Sequence, residues 1–245
     1  MLSTESRIKV VSNPEALYRD APDNRHVGVM FVDLDHFMRI CIDDPPQAVF
    51  SLLSDFQSVV TDLVSSFKGE LNSYQGDGVL AIFADAADRA DCATRTLRCA
   101  QKILAKIQSL SHDHFNACGR TISVSIGLQF GQTWSSTLHT SRSFGPTLIG
   151  DAVNVAARLE RQAQALDTMI LVGDELIKKA WSESGSMPSD LAPFANVGPL
   201  FVHGRRNPVH VWKLQSCPGE LLLDDPPTQC VDADVHRLLT GPSAR

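Results

Sequence analysis

Three observations predict an α/β fold, an α+β sandwich of one central sheet and covering helices. Strand-like runs alternate with helix-like ones along the 245 residues, the pattern of a sheet with helices packed on it. Val27 to Asp33 (VGVMFVD) is apolar until it ends in acid, as in a strand buried on both faces. Glu70 to Phe83 (ELNSYQGDGVLAIF) reads as two strands around the tip Gln75-Gly76-Asp77-Gly78, where the Asp-Gly pair signals a tight hairpin.

Met1 to His26 is polar, with turn formers at Asn13-Pro14 and Ala21-Pro22-Asp23, and reads as an irregular or partly helical lead-in. After the first strand, Asp43-Asp44-Pro45-Pro46 has the acids and prolines of a helix start. Val49, Leu52, Phe56, Val60, Leu63 and Phe67 then recur at helical spacing. The hairpin follows, and a second helix is expected from about Ala86 to Ile107, with Cys92 and Cys99 as small core residues. Thr121 to Phe130 alternates and is β-branched, so it reads as a central strand. Gly131 to Gly145 reads as a polar loop. Ile149 to Leu159 predicts a helix, Met169 to Val172 a strand, Asp174 to Trp181 a helix and Val209 to Leu214 a last strand. From Ser216 proline, acids and small residues dominate. The expected organisation is one domain over 27–214, with a lead-in (1–26) and a flexible tail (215–245).

Composition excludes several classes. With 22 Lys plus Arg against 28 Asp plus Glu the net charge is −6, so no basic field attracts nucleic acid. The six cysteines form no C-x-x-C pair and no secretory leader precedes them, which predicts reduced thiols in a cytoplasmic protein. No apolar run approaches the roughly 18 residues of a membrane span.

The chemistry gathers in three stretches. Asp33 and Asp35 stand at a strand end and Asp77 at the hairpin tip. If that strand lies beside the hairpin, Asp33 and Asp77 meet, and two close carboxylates need a cation or a proton to offset their repulsion. Alone, Asp33 reads equally as a turn residue, Asp77 as a hairpin residue and Asp35 as a solvated strand-end acid. Far downstream, Asn154 and Arg158 are four apart and share a helical face.

The run Phe31-Val32-Asp33-Leu34, the hairpin Gly76-Asp77 and the helix pattern Gly150, Val153-Asn154, Ala157-Arg158 together resemble the catalytic domain of class III nucleotidyl cyclases, over about Val27 to Leu214. The resemblance implies a ferredoxin-like domain with a mostly antiparallel sheet. It also implies conversion of a nucleoside triphosphate to a 3′,5′-cyclic nucleotide and pyrophosphate. Asp33, Asp77 and the backbone carbonyl of Leu34 would hold two Mg²⁺ or Mn²⁺ ions, Asn154 would orient the ribose, and Arg158 would stabilise phosphate charge. The implied assembly is a head-to-tail homodimer, each site taking the carboxylates from one subunit and the Asn/Arg helix from the other.

Two positions depart from the family. Three residues before the Gly76-Asp77 pair, where adenylate cyclases carry lysine and guanylate cyclases glutamate, stands Ser73; its partner position is Thr147, and Phe37 completes the expected base pocket. Where many relatives have a triphosphate-binding lysine stands His203, followed by Arg205 and Arg206, which could supply that charge or form a solvated basic turn. With no accompanying sensory domain, these features resemble the stand-alone pyrimidine cyclases of bacterial antiphage systems, which make cyclic UMP or cyclic CMP for a separate effector. The alternatives are an adenylate cyclase and an inactive nucleotide-binding sensor. A diguanylate cyclase or polymerase palm shares the carboxylates but not the Asn154/Arg158 helix.

Overall fold

The computed structural model describes residues 22–118, 121–139, 144–185 and 191–215; most of the lead-in and nearly all of the tail lie outside them. The chain runs β1 (Asp23–Leu34), α1 (Phe37–Asp43), α2 (Pro46–Ser66), β2 (Glu70–Gln75), β3 (Gly78–Ala84), α3 (Cys92–Cys118), β4 (Val124–His139), β5 (Phe144–Ile149), α4 (Asp151–Ala163), a 3₁₀ turn (Gln164–Leu166), β6 (Ile170–Gly173), α5 (Asp174–Ser184), β7 (Phe194–Leu200) and β8 (Val209–Leu214). The eight strands form one sheet in the order β2-β3-β1-β4-β6-β8-β7, with β5 on β4. Only β4 and β6 pair in parallel, which requires a crossover, and α4 lies in it. This is the mixed α/β fold that the alternation predicted. Among the described residues, no helix is long and apolar enough to cross a membrane.

The continuous apolar run of β1 is explained by cover on both faces. Met30, Val32 and Leu34 join the main core with Phe56 and Val60 of α2, Leu97 and Ile103 of α3 and Leu176 of α5. Val27 and Val29 face the other way, with Leu80 and Ile82 of β3 and Ala152, Val153 and Ala156 of α4. Farther along α4, Val155 and Leu159 pack on Leu200, Val209 and Val211. By period-two alternation Asp33 falls on the α4 face.

Helix α4 comes very close to the sheet at Gly127 of β4. A Cβ there would fall 2.9 Å from the Cα of Glu160 and inside the backbone of Ala156. Only a residue without a side chain lets α4 lie this low.

Several elements differ from expectation. Of the loop expected over 131–145, residues 131–139 are instead the outer arm of β4 and Phe144 opens β5, antiparallel on it with Trp134 opposite Ile149 and Ser136 opposite Thr147, while 140–143 lie outside the described residues. Its polar residues reflect an outlying arm of the sheet, not a coil. The segment before α3 holds an isolated Ala86–Arg89 bridge, so the helix starts six residues later than expected. Asp43 and Asp44 end α1 instead of opening α2, which starts at Pro46. The first strand begins at Asp23, four residues early.

Buried Arg95 locks the base of the hairpin. Its guanidinium donates to the carbonyls of Phe67 (3.1 Å), Lys68 (3.0 Å) and Ala84 (2.6 Å) and to the Asp91 carboxylate (2.7 Å). One fork thus satisfies the end of α2 and the end of β3. Arg95→Ala leaves three carbonyls short of donors, and we expect a loss of about 3 kcal/mol in urea unfolding; Arg95→Lys, a point donor, should recover under half of it.

Candidate active site

The hairpin closes through Gly76 and Asp77, with Gln75 paired to Gly78. The positive φ falls on Gly76 (68°), the first loop position, as in a II′ turn. The expectation that the Asp77-Gly78 pair makes the turn is therefore corrected by one residue. Gly78 has a different use: a Cβ there would stand 3.0 Å from Asp33 Oδ1. β1 pairs with β3 up to Val32 opposite Val79, so Asp33 comes next, its carboxylate against Gly78 and beside Asp77. The hairpin is steadied from α2, where the Thr61 and Tyr74 hydroxyls share a 2.7 Å hydrogen bond. Tyr74, the nearest aromatic to Ser73, is thereby engaged with the helix.

Asp33, Leu34 and Asp77 line one cavity of about 280 Å³ together with Asp35, His36, Phe37, Met38, Glu160, Arg161 and Gln164. Burial pushes the Asp33 carboxyl up to about 6, and the negative fields of Asp77 and Asp35 push in the same direction. Two carboxylates facing one cavity are the arrangement a cation relieves. The donors that Asp33, Leu34 and Asp77 offer are all oxygens, which suits Mg²⁺ or Mn²⁺.

Asp35 differs from its expected part as a solvated acid. Its Oδ1 accepts from Ser125 Oγ and from Gln164 Nε2, both at 2.7 Å, so it ties β1 to β4 and to the turn after α4. Phe37 lines the cavity and also packs on the main core.

Asn154 and Arg158 are not among the residues lining that cavity. Asn154 is exposed in the second turn of α4. The Arg158 guanidinium lies over Gly204 in the β7–β8 connection, 3.2 Å from where a Cβ would be. The acids nearest Arg158 in sequence pattern are engaged elsewhere: Glu160 lines the Asp33 cavity and Glu175 pairs with Lys178 at 3.1 Å. The structure thus brings Arg158 to the segment holding His203, Arg205 and Arg206. Arg205 pairs with Asp151 at the start of α4 (3.3 Å), while His203 and Arg206 are exposed. Ser73 is half-buried on edge strand β2, opposite Leu80. Thr147 is half-buried on β5, and neither residue lines the carboxylate cavity.

Sequence reasoning missed Glu160 as part of this cavity. A signal was available: Ala152, Ala156, Glu160 and Ala163, spaced four, four and three, put an acid in a stripe of small residues on one helix face. It is 9% exposed.

A second convergence of ligand-type atoms, Asp85, Cys92 and Glu183, lies within 4.8 Å, but its groups are already engaged. The Glu183 carboxylate accepts from the backbone N–H groups of Ala93 (3.0 Å) and Thr94 (2.8 Å) and from the Thr94 hydroxyl (2.7 Å). Asp85 accepts from the Cys92 N–H (2.9 Å) and the Lys179 ammonium (3.2 Å). Burial pushes the Cys92 thiol up to about 12. This is the N-terminal cap of α3, contributed by α5 and the β3–α3 connection, with an ammonium already supplying the positive charge. Cys92 and Cys99 are buried, as expected of core residues.

The family model of the adenylate and guanylate cyclase catalytic domain matches residues 20–214. An uncharacterised protein of Mycobacterium tuberculosis is 29% identical over 161 residues, covering 66% of this chain and 28% of its own length. An adenylate cyclase of Anabaena cylindrica is 26% identical over 162 residues, 64% of this chain and 31% of its own. The chain thus spans less than a third of the length of these curated relatives. The crystal structure of an adenylyl cyclase from P. aeruginosa superposes with a TM-score of 0.69 at 19% identity, covering 82% of this chain and all of that one, a likeness of fold.

Proposed function

Because this chain belongs to the adenylate and guanylate cyclase catalytic domain family, we propose that it cyclises a nucleoside triphosphate. In that reaction the 3′-oxygen bonds to the α-phosphorus as the bond to the β-phosphate oxygen breaks. The products are a 3′,5′-cyclic nucleotide, pyrophosphate and a proton. The observation that carries the reading is the Asp33 carboxylate seated on Gly78 beside Asp77 in one cavity.

Asp33, Asp77 and the carbonyl of Leu34 would hold a pair of Mg²⁺ or Mn²⁺ ions, which when bound polarise the attacking hydroxyl and neutralise charge on the leaving phosphate. Asn154 holds the ribose so that its 3′-oxygen faces the α-phosphate, and Arg158 donates two parallel hydrogen bonds to phosphoryl oxygens as charge builds on them. Arg205, with His203 and Arg206 beside it, contributes positive charge toward the triphosphate. Asn154 and Arg158 lie outside the cavity of Asp33 and Asp77, which supports a homodimer whose two sites each draw on both subunits.

The favoured substrate is UTP or CTP. A site that reads a purine must offer donors and acceptors matching its edge, and the hydroxyl of Ser73 is too short for the contact that lysine or glutamate makes. The matching role is a second messenger in antiviral defence, read by a separate effector protein. The second reading, an adenylate cyclase, rests on the Anabaena relative. Purified protein offered ATP, GTP, CTP and UTP separately with Mn²⁺ should convert a pyrimidine nucleotide at least about tenfold faster than ATP, about 1.4 kcal/mol of discrimination. ATP turning over fastest makes it an adenylate cyclase. Binding without turnover of any of the four leaves a nucleotide sensor.

A further inference from the structure

Glu160 is the buried acid that the reaction above does not use. It is 9% exposed, and among the described residues no hydrogen bond or ion pair is made by its carboxylate. Its backbone is packed directly on β4, at Gly127. Its side chain lines the cavity of Asp33, Leu34 and Asp77. A carboxyl nine-tenths buried with no protein donor is costly unless water or positive charge in the cavity meets it. Of the basic side chains lining the cavity, Arg161 is exposed on the next position of the helix and His36 is exposed at the start of α1. Gln164, the one amide lining it, is spent on Asp35. Asp35 is held in turn by Ser125, so two neutral side-chain donors satisfy it, and among the described residues none reaches Glu160.

We propose that Glu160 is a third carboxylate of the cation site, reaching it from the α4 face while Asp33 and Asp77 reach it from β1 and the hairpin. This rests on the reading of Asp33 and Asp77 as cation ligands. The coupling of Glu160 to Asp33, Asp77 and Asp35 is consistent with it: burial and those three negative fields together push its carboxyl up to about 7, so a cation placed among them is attracted by all. The alternative is that Glu160 serves only as packing.

The experiment is Mn²⁺ binding without nucleotide, read as loss of the free-ion electron paramagnetic resonance signal, on wild type, Glu160→Gln and Asp77→Asn. Far-UV circular dichroism and melting temperature serve as the check on folding. Glu160→Gln keeps the shape of the neutral acid and should weaken Mn²⁺ binding about tenfold or more, with folding retained. Glu160→Met, which keeps the length and cannot ligate through oxygen, should do the same and stands in if the glutamine variant does not fold. Wild-type affinity in the folded variants, with Asp77→Asn impaired, overturns the role of Glu160 alone. Wild-type affinity in Asp77→Asn overturns the cation site on which the inference rests.

Discussion

Asp33→Asn and Asp77→Asn each lower turnover by about 10³-fold or more with saturating Mn²⁺, the rate equivalent of roughly 4 kcal/mol lost from the transition state. Neither should unfold the protein. The Asp33 carboxyl is pushed up to about 6 by burial and by the fields of Asp77 and Asp35, so in metal-free solution near pH 7 the ionised cluster opposes folding. Replacing one acid by its amide removes part of that repulsion at nearly constant volume. The metal-free variants should therefore melt at or above the wild-type temperature, the signature of a site where function is held against stability. A variant that keeps wild-type turnover overturns the assignment of its aspartate; one that loses turnover with a lowered melting temperature reports damage to the fold.

An equal mixture of Asp77→Ala and Arg158→Ala chains regains activity that neither has alone. In a head-to-tail pair, each mixed dimer holds one site with both defects and one with neither. Random exchange makes half of the dimers mixed, so about a quarter of wild-type turnover per chain should return. Native mass spectrometry counts the mixed dimers in the same sample. Mixed dimers in that proportion with no activity above the single variants rule out sites shared between subunits. Arg158 suits the test because it lies over the β7–β8 connection, outside the Asp33 cavity, so its truncation leaves the carboxylates of its own chain undisturbed.

Much of the fold is legible where one period dominates. β1 shows its burial as an unbroken apolar run because both faces are covered, and α2 shows its buried side as Val49, Leu52, Phe56, Val60 and Val64. β8 was delimited to the residue. β7 was missed: a register shift between Asn196 and Gly198 breaks its alternation, and Pro199 disguises it further. α1 was missed because seven residues are too few to establish a helical period. The start of α3 could not be read locally, since the carboxylate that caps it belongs to Glu183, about 90 residues away. In the site, Asp33 and Asp77 could be found because acids at the end of an apolar strand and at a hairpin tip are conspicuous. Glu160 was overlooked because the run Arg158-Leu159-Glu160-Arg161 reads as a charged surface, although its place in the buried stripe with Ala152, Ala156 and Ala163 marked it as inward-facing.

That close contact at Gly127 also bears on how two sites would communicate. In the proposed dimer α4 holds memberships in both: Glu160 belongs to the carboxylate cavity of its own chain, while Asn154 and Arg158 belong to the nucleotide in the other. The helix touches β4 through Gly127 between these positions, so a tilt of its axis would displace both sets of groups together. Filling one site then changes the geometry of its twin, and turnover should depend on nucleotide concentration with a Hill coefficient different from one.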